Sequence, residues 1–241
     1  MLLDSGADIN HVTKGHRPAL AVAARKGHFA IVKLLIERGA DVNFKGVRGS
    51  ALTEAACKDH PDIVQMLLDN GADINLSCGN KDYSTALEAA AAKGTASMVS
   101  ILLDRGADVN LVSTHGTALQ AAVCGGRARM VTLLLDYGAD INLVSGKGTA
   151  LGVAVFRNKA DILQLLIKRG ADINIVGGVD GTALASATYE VSSAKVSGGP
   201  SDPNSPASLV WRLAPTNGRP LVHEHHSDNA RPWRRYQQPR S

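Results

Sequence analysis

The sequence predicts an all-α solenoid of stacked helix-turn-helix hairpins with a disordered C-terminal tail, and three observations carry that expectation. The pentapeptide Gly-Ala-Asp-(Ile/Val)-Asn starts at Gly6, Gly39, Gly71, Gly106, Gly138 and Gly170, in steps of 33, 32, 35, 32 and 32 residues. A leucine stands 19 residues before each of the last five glycines, at Leu20, Leu52, Leu87, Leu119 and Leu151, so all variation in length falls between each Asn and the next Leu. A core of constant length joined by connections of variable length marks a repeated folded unit with loops between copies. Beyond Val191 the period stops, and seven of the nine prolines lie there.

Residues 116–142, GTALQAAVCGGRARMVTLLLDYGADIN, illustrate the unit. Thr117 stands where an N-cap hydroxyl would satisfy a free backbone N–H, and the Ala- and Leu-rich run from Ala118 to Val123 favours a closely packed first helix. Gly125 and Gly126 end it. A second helix is predicted from about Arg129 to Tyr137. Its apolar residues Met130, Val131, Leu133, Leu134 and Leu135 form a band too wide for a helix that buries one face, so it must be covered from more than one side. Gly138 suits the left-handed residue that follows many helices, and Asp140 and Asn142 have side chains able to tie down a turn.

One unit of about 33 residues buries too little apolar surface to offset the entropy of ordering it, whereas stacked units cover one another. The expected domains are an array over residues 1–190 and a disordered tail over 191–241. The array divides into a partial repeat 1–10, five full repeats at about 11–43, 44–75, 76–110, 111–142 and 143–174, and a partial repeat 175–190.

The pattern TALxxAA followed by (I/V)VxLLLDxGADIN resembles the ankyrin repeat, whose first helix usually starts TPLHxAA. The resemblance extends over residues 1–190. It departs from the family at the Pro and His positions, which hold Ala51 and Thr53, Ala86 and Glu88, Ala118 and Gln120, and Ala150 and Gly152. These changes put the hydrogen bonding of that His in question without touching the fold. In the first full repeat Pro18 takes the Thr position and removes the hydroxyl cap.

Neither end of the array reads as a polar capping repeat. MLLDSGADIN corresponds to the tail of a repeat, which leaves the first full repeat poorly covered, and GTALASATY at residues 181–189 starts a helix that no IVxLLL segment follows. The array is therefore expected to be a piece of a longer one. Residues 191–241 read either as a native flexible tail or as translated intron, since Val191-Ser192 can be encoded by a splice-donor-like GT(A/G)AGT.

The chain has 26 Lys+Arg against 22 Asp+Glu. Seven of those cations and three of those acids lie in the tail, so the array holds 19 of each sign and the basic pI describes the tail. A nucleic-acid role for the folded part is not supported. RPWRRYQQPR interleaves Arg with Trp233 and Tyr236 in a way compatible with RNA, but no folded platform accompanies it. No apolar run nears the ~20 residues of a membrane helix, and no secretory leader is recognisable. A cytoplasmic or nuclear location is expected.

Catalytic candidates fail on spacing. His223-Glu224-His225-His226 lacks the second His of a zincin, because Ser227 stands there. Ser145-Gly146-Lys147-Gly148-Thr149 lacks the first Gly of a phosphate loop and separates Lys from Thr, which leaves an inter-repeat turn. The recurring Asp residues lie one repeat apart at identical turn positions and read as structural. Cys57, Cys78 and Cys124 have no metal-like spacing, and Cys57 and Cys124 fall at the same helix end. Asn75-Leu76-Ser77 matches a glycosylation acceptor but is the repeat's own turn. No cofactor, metal or enzymatic activity is expected.

What remains is recognition: a uniform core displays a row of non-uniform surface positions. The resemblance implies that a partner lies along the concave face formed by loop tips and first helices. The loop tips hold Lys14, His16, Lys45, Arg48, Asp82, Tyr83, His115, Lys147 and Asp180, and the loop LSCGNKDYS carries the three extra residues of the 35-residue step. The candidate protein-binding residues are Arg25, Lys26, Arg48, Lys58, Tyr83, Lys93, His115, Phe156 and Arg157. This face leans basic toward its N-terminal half, with Tyr83 and Phe156 as anchors. The expected partner is another protein, presenting an acidic or extended segment to a monomeric platform. The alternative is a substrate-recognition or sensor arm of a larger enzyme or NTPase whose catalytic domain lies outside this chain, and a third reading is a nonfunctional gene fragment.

Overall fold

In the computed structural model, the described residues are 8–12, 17–46, 49–78, 83–175 and 177. They form ten short helices in five pairs: α1 Ala19–Lys26 with α2 Phe29–Glu37, α3 Ala51–Cys57 with α4 Pro61–Asp69, α5 Ala86–Lys93 with α6 Ala96–Asp104, α7 Ala118–Cys124 with α8 Ala128–Asp136, and α9 Ala150–Phe156 with α10 Ala160–Lys168. Odd-numbered helices pack in a row against their odd neighbours, and even-numbered helices form a second row behind them. The sixth helix start at 181–189 and the segment 191–241 fall outside the described residues, as do Lys14, His16, Arg48, Asp82 and Asp180.

The first helices start as their N-caps dictate. Thr117 Oγ1 accepts from the Gln120 N–H at 3.2 Å and Gln120 returns a bond to the Thr117 N–H, a capping box. Ser50, Thr85 and Thr149 cap α3, α5 and α9 with the first of these bonds, each side chain accepting from the N–H three residues on. Pro18 leaves α1 without a side-chain cap. α8 begins one residue before and ends one before the sequence-predicted bounds, and its wide apolar band is covered as required. Met130, Val131 and Leu134 are buried, Leu133 and Leu135 are half-buried against the core, and α6, α7 and α10 all pack on this helix. At its end Gly138 adopts φ 86°, and the N–H groups of Gly138 and Ala139 close on the carbonyls of Leu135 and Leu134. Only a residue without Cβ takes that conformation without strain.

The Gly-Ala-Asp-Ile-Asn motif is a ladder running along the array. Within each turn an Asp carboxylate accepts from the backbone N–H two residues on: Asp41 from Asn43, Asp73 from Asn75, Asp108 from Asn110, Asp140 from Asn142 and Asp172 from Asn174. Between turns the Asn carbonyl accepts from the N–H of the next repeat's Asp. Asn10 binds Asp41 at 2.9 Å, Asn43 binds Asp73 at 2.7 Å, Asn75 binds Asp108 at 2.9 Å, Asn110 binds Asp140 at 2.7 Å and Asn142 binds Asp172 at 2.9 Å. The motif recurs because each copy supplies both the bond that closes its own turn and the bond that fixes its neighbour's. The Asp carboxylates are structural, and Asn75 belongs to this ladder.

The first repeat is exposed where every other repeat is covered. Ile31 is 48% exposed, whereas Ile63, Met98, Met130 and Ile162, eleven residues after their own repeat's leucine as Ile31 is, are all buried. Ala19 is exposed and Leu34 is 45% exposed, while Ala51, Ala86, Ala118 and Ala150 are buried. A solenoid covers such positions with the preceding unit, so α1 and α2 present an apolar end face.

Candidate functional site

The loops entering the first helices are narrow hairpins, in which Gly46 bridges Gly49, Ser113 bridges Gly116 and Ser145 bridges Gly148. The second and third of these place His115 and Lys147 beside the first-helix ends, where Tyr83 also lies. The result is a groove of about 370 Å³ spanning the third, fourth and fifth helix pairs. Its lining includes the small residues Ala92, Ala121, Cys124 and Gly125 and the polar residues Tyr83, Glu88, Lys93, His115, Arg127, Lys147 and Arg157.

Four of the nine sequence-derived candidates therefore meet: Tyr83, Lys93, His115 and Arg157. His115 is held by its Nδ1 at 2.9 Å from Ser84 Oγ. Arg157 stands 5.8 Å over the ring of Phe156, which is 59% exposed and adds an apolar shelf beside the groove. Lys26 and Lys58 are exposed at the ends of the first two first helices, away from the groove. Arg48 lies outside the described residues.

Arg25 has a partner within the fold. Its Nη1 donates to Glu54 Oε2 at 2.9 Å, and Arg17 Nε donates to Glu54 Oε1 at 2.6 Å. Glu54 is buried, so these two arginines of the first repeat neutralise a carboxylate of the second. The surplus of basic residues read in the N-terminal half is thereby reduced by this internal pairing. The cations that border this groove lie in the other half of the array.

Sequence reasoning passed over Arg127 and Glu88 as groove residues. Arg127 donates to the carbonyls of Gly94 and Lys93, which fixes the C-terminal end of α5 and leaves its charge beside the groove. Glu88 occupies the same first-helix position as Gln120. The amide of Gln120 donates to the Gly148 carbonyl at 2.7 Å and its oxygen accepts from Thr117 N–H and Ser145 Oγ. Glu88 accepts from the Ser84 N–H through Oε2, and its buried Oε1 has no hydrogen-bond partner among the described residues. The available signal was an acid at a position where a neighbouring repeat carries a neutral amide.

The three thiols are free. Burial pushes the Cys57 thiol above its ordinary range, with the Glu54 carboxylate adding to the rise, and burial does the same at Cys78. Both effects oppose thiolate formation and hence nucleophilic reactivity. Among the described residues no group of His, Cys, Asp and Glu could hold a metal ion, and no helix is long and apolar enough to cross a membrane.

Comparison with known proteins agrees with the geometry. Residues 1–78 and 75–145 match the sequence profile of ankyrin repeats in three copies, and residues 148–178 match that of the single ankyrin repeat. No curated protein gives a significant match. Among solved structures, the crystal structure of the human ASB11 ankyrin repeat domain superposes with a TM-score of 0.64 at 28% identity, covering 84% of this chain and 86% of that one. With its period, its capped hairpins and its Asp–Asn ladder, the chain belongs to the ankyrin-repeat family.

Proposed function

We propose that this protein is a non-catalytic interaction platform that holds an extended acidic segment of a partner protein across the groove between Tyr83 and Arg157. Ankyrin repeats in general mediate protein–protein interaction. The observation that carries the finer reading is the charge of this groove. Lys93, Lys147 and Arg157 border a floor of small residues, and among the described residues no carboxylate pairs with any of them. An extended chain can run over Ala92, Ala121 and Gly125 without steric hindrance while its carboxylates meet the three cations. Phe156 offers an apolar contact at one end.

The test is fluorescence anisotropy with a labelled nonapeptide of Glu and Asp residues. The triple variant Lys93→Ala, Lys147→Ala, Arg157→Ala is expected to bind about tenfold more weakly or worse with an unchanged melting temperature, because partly exposed charges contribute little to folding. Raising the salt from roughly 50 to 300 mM is expected to weaken the wild-type complex, since the contacts are screened. Equal affinity of the triple variant and the wild type would reject the groove as the binding site.

A further inference from the structure

We propose that Glu88 is a specificity residue: its free carboxylate oxygen receives an arginine side chain carried within the partner's acidic segment. The inference rests on the reading of the groove as an acidic-segment site and adds what that segment must contain at its centre.

Glu88 is 2% exposed, lines the groove and, among the described residues, leaves Oε1 without a hydrogen-bond partner. A buried carboxylate oxygen in that state is costly, and the cost is relieved by any donor that reaches it. The fold has a neutral solution at this position. Gln120, one repeat later, satisfies both of its side-chain ends through Gly148, Thr117 and Ser145. The third repeat carries the acid instead and goes without those bonds. A local defect of this kind beside a concavity is the usual trace of a group kept for a ligand.

The fold also has a chemical precedent for the missing partner. The other buried first-helix carboxylate, Glu54, is neutralised by two guanidinium groups, from Arg17 and Arg25. Among the described residues no guanidinium pairs with Glu88. Arg127, the groove's remaining guanidinium beside Arg157, is committed to the carbonyls of Lys93 and Gly94. The charged groups facing the groove are otherwise Lys93, Lys147 and Arg157, which repel an isolated cation. The arginine must therefore arrive flanked by carboxylates that occupy those cations, and this makes the site selective for a mixed-charge sequence over a purely basic or purely acidic one. The terminal torsion of a glutamate is broad, so the carboxylate can turn to meet the incoming guanidinium without leaving its rotamer well.

The experiment uses the full chain and two labelled nonapeptides, each with four Glu residues on either side of a central Arg or a central Ala. The wild type is expected to prefer the Arg-centred peptide by about tenfold, the value of one charge-assisted hydrogen bond. Glu88→Gln is expected to lose that preference and to bind the Ala-centred peptide at least as tightly as the wild type does, since a negative charge leaves the groove. Its melting temperature is expected to rise, because a neutral amide at this position is the arrangement already seen at Gln120. If the wild type binds both peptides equally, or if Glu88→Gln retains the preference, the role of Glu88 is refuted and the acidic-segment site stands. If neither peptide binds the wild type, both readings fall together.

Discussion

The guanidinium of Arg25, at the end of one first helix, donates to the carboxylate of Glu54 in the next at 2.9 Å. The pair joins two repeats through a buried acid, so its loss is felt by the fold before any partner is involved. Arg25 is about a third exposed and Glu54 keeps Arg17, so Arg25→Ala is expected to cost about 1 kcal/mol. Removing Arg17 as well leaves the buried carboxylate uncompensated, and the double variant is expected to lose roughly 3 kcal/mol, more than the two single losses added. Urea titration of the four proteins measures this coupling, and strict additivity would contradict it. Lys58→Ala, on an exposed side chain, is expected to stay within about 0.5 kcal/mol of the wild type.

Asn110 carries the second prediction. Its Oδ1 accepts from the Asp140 N–H at 2.7 Å and its Nδ2 donates to the Gly138 carbonyl at 3.3 Å. Both groups lie at the surface, where water can replace the side chain, so Asn110→Ala is expected to cost only about 1 kcal/mol. The effect should be local. Amide hydrogen exchange is expected to quicken at Asp140 and in the adjacent turn while α1 to α4 keep their protection. Uniform loss of protection across the array would show that the ladder is not a nearest-neighbour device.

The fold was legible because its signals were local and repeated. Thr117 before an Ala-Leu run, Gly138 after an apolar band and the Asp-x-Asn turn each specify a conformation within a few residues, and five copies remove ambiguity. Two breaks from the repeat pattern are also explained locally. Asp59 and Asn158 take positive φ where Gly27 and Gly126 stand in other repeats, and Asn and Asp tolerate that region better than other side chains. The site was legible only in part. Tyr83, Lys93, His115 and Arg157 were read from their loop-tip and helix-end positions, and the groove gathers them. The pairing of Arg25 could not be read, because its partner Glu54 lies 29 residues away and nothing local announces a buried pair. Glu88 was passed over for a similar reason: whether an acid is satisfied depends on what the neighbouring repeat offers it.

Leu134 and Leu34 separate the interior of the array from its end face. Both lie on second helices, and Leu134 is fully buried while Leu34 is 45% exposed. Leu134→Ala is expected to cost roughly 2 to 5 kcal/mol through the cavity it leaves. Leu34→Ala removes little buried surface and is expected to cost under about 1 kcal/mol. Denaturant midpoints of the two variants decide the matter. Comparable losses would mean that the end face of α2 is covered in solution.

The cysteines supply a prediction about pH. Burial raises the Cys57 and Cys78 thiols above their ordinary range, with Glu54 adding to the rise at Cys57, so the folded protein holds these protons more tightly than the unfolded chain does. Their contribution to stability is then complete below the ordinary thiol value, about 8.5. It is lost as pH climbs through that value toward the raised folded ones, because the unfolded thiols ionise first. Lysines and tyrosines also titrate in this window, so the informative quantity is a difference between proteins. The urea midpoint of the wild type is expected to fall more steeply between about pH 8 and 10 than that of the Cys57→Ala, Cys78→Ala double variant, whatever the offset between them at neutral pH. Parallel curves for the two proteins would show that both thiols ionise as readily in the folded state as in the unfolded one.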